Sequence, residues 1–289
     1  CSEENSVLVL FNLKDKEPVC SNIYTGKIHD KCVFKNFIEM NNIHEGLLVS
    51  DGTLEPSVFR GIHDNNSKLH YLVSIKRNDE RIIEKKLGNF TGQFDYNNRI
   101  ILFNKISYKY GNKEIYLYHY SDITRLYLET VYFCNNSRIK EKFDSELYQK
   151  SKEKFGTITL ESDLDLDAVE AYELSCGRWP VEVLFRGRKS DLPFNIATVQ
   201  NDFSVRGQNI IELFVSILYS RIIKIMEETG LNKTISFENM MDDLLFVFRL
   251  LPKNSSQEIP FSNDPYWVVT TQEVFELLET LSLSRSQKT

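Results

Sequence analysis

Apolar and polar positions divide the first 77 residues into short, clear elements. Residues 7–12 are an apolar run of strand length, Lys14-Asp15-Lys16-Glu17-Pro18 is turn-forming, and 19–24 is a second run. The pattern predicts a hairpin. Asp30 can cap a helix that carries Val33, Phe34, Phe37, Ile38 and Met40. Residues 46–50 are continuously apolar, as expected of a buried central strand, and end at Asp51-Gly52-Thr53. Another strand is expected over 71–75, followed by Lys76 and Arg77. Strands alternating with helices give an α/β core.

From 78 to 154 the chain turns polar, Tyr-rich and strand-like. Strands are expected over 99–103, 106–110 and 114–119, broken at Asn97-Asn98 and Gly111-Asn112. This reads as a β-rich insertion. A further strand fits 155–160, and the acidic run from Asp163 to Asp167 leads into helical periodicity. A long amphipathic helix fits 205–228, with Gly230 as its C′ residue. Helices are also expected over 236–251, before Pro252, and over 272–281. The expected organisation is therefore 1–77, 78–154 and 155–289.

Composition narrows the class. The 289 residues are 42% apolar and 26% charged, which suits a large buried core and excludes disorder. The apolar stretch 210–225 contains Glu212, Arg221 and Lys224, so it is a core helix rather than a membrane span. Five cysteines without a CxxC pair argue against a disulfide framework or a Cys-ligated zinc, and for a reducing cytoplasm. The net charge of −6 does not advertise a nucleic-acid partner. The first residue is Cys1, which reads as processing or truncation.

Two places could carry chemistry. Asp51 ends a buried strand, where open α/β sheets gather ligands and metals; the alternative is a capped turn. Arg178, Glu182, Phe185 and Lys189 share one face if helical, with Arg186 and Arg188 adding positive charge. A carboxylate between cations suits a metal beside a phosphate backbone; the alternative is an ordinary surface ion pair. Asp163, Asp165 and Asp167 lack the Gly and Glu of a calcium loop and read as an acidic helix start. The five histidines show no paired spacing, and no phosphate-binding or nucleophile motif occurs.

Together these pieces resemble the catalytic region of bacterial insertion-sequence DDE transposases of the cut-and-paste type. Arg178, Glu182 and Lys189 match in type and spacing the family's Tyr-Arg-Glu-Lys signature, in which Glu follows Arg after three residues and Lys follows Glu after six. Arg178-Trp179-Pro180-Val181-Glu182 is similar to the family's Arg-Trp-x-Ile-Glu. In collinear order, 15–18 resembles its hairpin turn and 24–30 its Gly-Asn-x-x-Asp stretch. Val49-Ser50-Asp51-Gly52 resembles the strand that delivers the second catalytic aspartate. Residues 205–207 and 219–221 resemble the helix that follows the catalytic Glu. Ser175 stands where the signature has Tyr, with Tyr172 nearest, and Pro180 lies inside the expected helix. The family's first catalytic Asp lies on a strand preceding 7–12, so the resemblance implies a chain truncated between the two.

The resemblance implies an RNase H-like core interrupted by a β-rich insertion, with a helical C-terminal part. It implies Asp51 and Glu182 as catalytic metal ligands for Mg²⁺ or Mn²⁺, and Arg178, Arg186 and Lys189 as DNA-binding residues. Lys76 and Arg77 are secondary DNA contacts or a solvated strand end. The implied activity is cutting and joining of transposon ends by phosphoryl transfer, with double-stranded DNA as partner. The active state would be a homodimer, nucleoid-associated in the cytoplasm, with no membrane partner. Lacking one ligand, the chain alone is expected to be weakly active or inactive. A Mg²⁺-dependent nuclease on the same core and a non-catalytic DNA-binding relic remain alternatives.

Overall fold

A computed structural model describes residues 5–25, 30–139, 144–177, 202–245, 248–250, 266–268 and 272–280. The chain forms two compact units: Cys1–Leu8 with Tyr24–Trp179, and Val9–Ile23 with Pro180–Thr289.

The first unit is a mixed α/β layer structure. Strands β1 (Asn5–Asn12) and β2 (Glu17–Thr25) form the expected hairpin, which falls largely in the second unit. Helix α1 (Asp30–Met40) leads to β3 (Gly46–Ser50), and α2 (Pro56–Asn65) crosses over to β4 (Leu69–Ile75). β3 and β4 are parallel, with Leu47 opposite His70 and Ser50 opposite Val73. The short helix α3 (Glu80–Glu84) precedes β5 (Gly92–Tyr96), β6 (Arg99–Tyr110) and β7 (Lys113–Asp122). Helices α4 (Ile123–Ile139) and α5 (Ser145–Lys152) follow, then β8 (Thr157–Ser162) and α6 (Ala168–Cys176). One six-stranded sheet in the order β3-β4-β8-β7-β6-β5 unites them. β8 lies antiparallel between β4 and β7, so strands from all three expected ranges share one sheet.

The alternation of β4 shows how the sequence builds this layer. Tyr71 and Val73 face a cluster with Ile38 of α1 and Phe59 and Ile62 of α2. Leu72 faces the other side, with Tyr118, Tyr120, Leu160 and the α6 residues Ala171 and Tyr172. Period-2 alternation sends successive side chains to opposite faces, so a strand buried on both sides reads as continuously apolar. Tyr172, the nearest residue to the signature tyrosine, is 2% exposed and packs at 5.0–5.4 Å against Phe94, Tyr96 and Tyr120. It serves the core.

Two expectations change here. Residues 46–50 form not a central strand but an edge: among the described residues β3 pairs only with β4, and Leu47, Leu48 and Val49 are half-buried. Residues 123–139 and 145–152 are helical rather than strand-like. Asp122 at the end of β7 accepts the Arg125 N–H at 3.0 Å, and this cap turns the alternating aromatic run into α4. The Asn97-Asn98 turn is as expected, with both residues left-handed (φ 49° and 60°) in a two-residue hairpin.

In the second unit, α7 (Asp202–Thr229) matches the expected long helix, ending at the left-handed Gly230 (φ 78°). Ser21 of β2 donates to Asn209 Oδ1 at 2.8 Å, and Asn209 returns a bond to the Ser21 carbonyl at 3.0 Å. Lys16–Glu227 at 3.0 Å and Arg221–Glu17 at 2.9 Å bridge the hairpin and helix at the surface. A 3₁₀ turn (Leu231–Lys233) and helices α8 (Phe237–Leu244) and α9 (Gln272–Thr280) close a core of Met226, Leu231, Met240, Val274 and Leu277. The helix expected over 236–251 stops early. Residues Phe248–Leu250 form β9 instead, paired antiparallel with β10 (Tyr266–Val268), because strand pairing overrides local helix propensity.

Candidate functional site

The carboxyl end of the parallel pair β3–β4 is the first place to look for chemistry. Asp51 follows β3 directly and is exposed. Its Oδ1 accepts the Thr53 N–H at 3.0 Å; no other hydrogen bond to this carboxylate is found among the described residues. It does not cap α2, whose N-cap residue is Glu55 with Pro56 in the first turn. Gly52 brings the backbone close to β4: a Cβ there would stand 3.2 Å from the Ser74 carbonyl oxygen. A side chain at 52 would be a tight contact that the turn or β4 must relieve by a few tenths of an ångström.

Beyond β4 at the same end, Lys76 is exposed, whereas Arg77 is committed. Its guanidinium forks onto both oxygens of Glu129 of α4 at 2.9 Å. Glu129 also accepts from Arg125 and from the Gly156 N–H, each at 2.9 Å. Partial burial pulls the Glu129 carboxyl upward, but the bonds from Arg77, Gly156 and Arg125 prevail and hold it down at about 2. Arg77 therefore ties α4 to the sheet.

A second polar group sits inside the sheet layer. Glu161 of β8 is fully buried and takes a bidentate fork from Arg60 of α2 at 2.6 and 2.7 Å. It also accepts from Arg81 at 2.5 Å and from the Tyr71 hydroxyl at 3.1 Å. Arg81 continues to both oxygens of Asp79 at 2.8 Å and to the Tyr108 hydroxyl at 2.8 Å. Two carboxylates and two guanidiniums balance in charge. Burial and the neighbouring Glu161 push the Tyr71 and Tyr108 hydroxyls upward, so both stay protonated. Every acceptor and donor named is paired, as a structural ion network requires.

A third group joins His63, His70 and Asp163, whose donor atoms lie within 4.8 Å of one another. The three aspartates after β8 thus separate in role. Asp163 meets the histidines, Asp165 bonds Lys105 at 2.5 Å, and Asp167 caps α6 through the Val169 N–H at 2.8 Å. No sequence pattern signals either buried group. His63 and His70 are joined across a helix-to-strand turn, and Arg60 and Glu161 are 101 residues apart. The only local hint is a charged residue, Glu161, inside a strand.

Of the expected site residues, Asp51 is placed as the sequence suggested, at a strand's carboxyl end. Arg178, Glu182, Arg186 and Lys189 lie outside the described residues. No protein-family model matches the chain, and the search of curated proteins finds no match. Among the described residues, no helix is long and apolar enough to cross a membrane.

Proposed function

We propose that the chain is the catalytic region of a DDE-type transposase on an RNase H-like core, acting in metal-dependent DNA phosphoryl transfer. The observation that carries this reading is the exposed Asp51 carboxylate at the carboxyl end of the parallel β3–β4 pair, held close against β4 by Gly52. Asp51 and Glu182 would hold Mg²⁺ or Mn²⁺ by their carboxylates, a hard-oxygen donor set suited to those cations. When bound, the metal would supply activation of the attacking water or 3′-hydroxyl and charge stabilisation at the leaving oxygen. Arg178, Arg186 and Lys189 bind transposon-end phosphates.

The order of elements supports the reading: hairpin, helix, parallel strand pair, strand-rich segment, then a helical C-terminal part.

A nicking assay on supercoiled and end-containing DNA with Mg²⁺ or Mn²⁺ tests the reading. The expected result is weak Mn²⁺-stimulated nicking that Asp51→Asn and Glu182→Gln each reduce at least about tenfold, the usual scale for lost catalytic groups. Nicking unchanged by both substitutions contradicts it. A strand-transfer assay with donor and target DNA separates a transposase from a nuclease on the same core, which hydrolyses but does not join.

A further inference from the structure

Asp51 follows the carboxyl end of β3, but a second group of metal-competent side chains lies toward the opposite end of the same strand pair. His70 stands opposite Leu47, four residues before Asp51. At ~3.3 Å per residue this places its backbone about 13 Å from Asp51 along the strand direction. Three elements converge there: the last turn of α2 supplies His63, the start of β4 supplies His70, and the chain leaving β8 supplies Asp163. It is the one group of three histidine, cysteine or acidic residues with this convergence among the described residues.

We propose that His63, His70 and Asp163 form a binding site for a divalent transition-metal ion of the zinc type. Three observations carry the assignment. First, Asp163 Oδ2 faces both rings, 2.6 Å from His70 Nδ1 and 3.4 Å from His63 Nδ1. In a tetrahedral site with bonds of about 2.0 Å, neighbouring donors stand ~3.3 Å apart. The longer distance already has that value, and the shorter is a hydrogen bond that an ion replaces with a spread of under about 1 Å.

Second, the carboxylate is held in place from behind. Asp163 Oδ1 accepts the Tyr71 N–H at 2.7 Å, which turns Oδ2 toward the histidines. A backbone donor of this kind orients a ligating carboxylate. The two rings stand 5.5 Å apart, and His63 Nδ1 gives up its 2.9 Å bond to the Leu69 carbonyl when that nitrogen ligates. Third, the group is sheltered but accessible. The Asp163 side chain is 5% exposed and that of His63 14%, while His70 at 34% opens one side to solvent. Three protein ligands with one open direction leave a position for water.

Two imidazoles and one carboxylate favour zinc, copper or nickel over Mg²⁺. The ion would tie the end of α2, the start of β4 and the end of β8 together, remote from Asp51. It is therefore separate from phosphoryl transfer.

The test uses the full chain stripped with a chelator and titrated with Zn²⁺ against a fluorescent zinc indicator, and with Co²⁺ by visible absorption. The expected result is one tightly held ion per chain and a raised Tm. Co²⁺ should show d–d bands of tetrahedral intensity without a thiolate charge-transfer band, which excludes binding by the cysteines. His63→Ala and Asp163→Asn should lose the ion. If either fails to fold, the more exposed His70→Gln keeps the test open: it should retain the metal-free Tm and lose the rise on adding Zn²⁺. No retained zinc in the unsubstituted chain, a thiolate band, or undiminished binding in His70→Gln would overturn the proposal.

Discussion

Glu161 shows how much one residue commits the neighbouring elements. Its buried carboxylate is the shared acceptor of Arg60, Arg81 and Tyr71, from α2, the α3 helix and β4. Glu161→Gln leaves two guanidiniums facing a neutral amide inside the layer. Removing one partner of a buried pair typically costs about 3–5 kcal/mol. Urea unfolding of the variant should show a loss of that size; a loss under about 1 kcal/mol would mean that water already reaches the network. His119 gives a pH dependence. It is buried, stacked on Phe90 at 5.6 Å and 2.7 Å from Thr159 Oγ1, and burial pushes its imidazole down from 6.5 to about 4. Its neutral form is favoured by folding, so the native state binds this proton less readily than the unfolded chain. Its stability contribution is complete above about pH 6.5 and falls as pH drops toward 4, by at most about 3 kcal/mol. His119→Gln should flatten that part of the stability-against-pH curve. An unchanged slope would place the titration elsewhere.

Elements reveal which physical signals the sequence carried. Period and length made the hairpin, α1, β4, α7 and α9 legible, because a face buried locally leaves a local pattern. The edge position of β3 was not legible, since Leu47, Leu48 and Val49 read alike in a central strand and in an apolar edge. The helical α4 was hidden because it continues directly from the alternating tyrosines of β7, and by a cap at Asp122 that one residue type does not announce. Asp51 was legible because a strand end and a Gly sit side by side in sequence. The Arg60–Glu161 and His63–His70–Asp163 groups were not, because tertiary pairing alone brings them together. The junction of β7, α4 and β8 depends on Gly156, left-handed at φ 68°. A Cβ there would stand 2.6 Å from the Asp122 carbonyl oxygen and 2.7 Å from the Leu126 backbone nitrogen. Gly156→Ala should therefore destabilise by more than the ~1 kcal/mol of a left-handed alanine alone, measured as a drop in Tm. A neutral effect would show that α4 shifts away freely.

At the scale of the molecule, the six-stranded sheet gives the carboxyl end of β3 a rigid support for an exposed acidic group. The account differs from a structural-protein reading in one commitment: Asp51 and Glu182 share a hard cation. The proposed zinc-type centre at His63, His70 and Asp163 is chemically distinct, so hard and borderline metals report on the two sites separately. The most direct test is titration of the full chain with Mn²⁺, following the free-ion EPR signal, in the His70→Gln background that removes the histidine site. The account predicts Mn²⁺ binding that Asp51→Asn and Glu182→Gln each abolish. Equal Mn²⁺ binding by all three chains would contradict it.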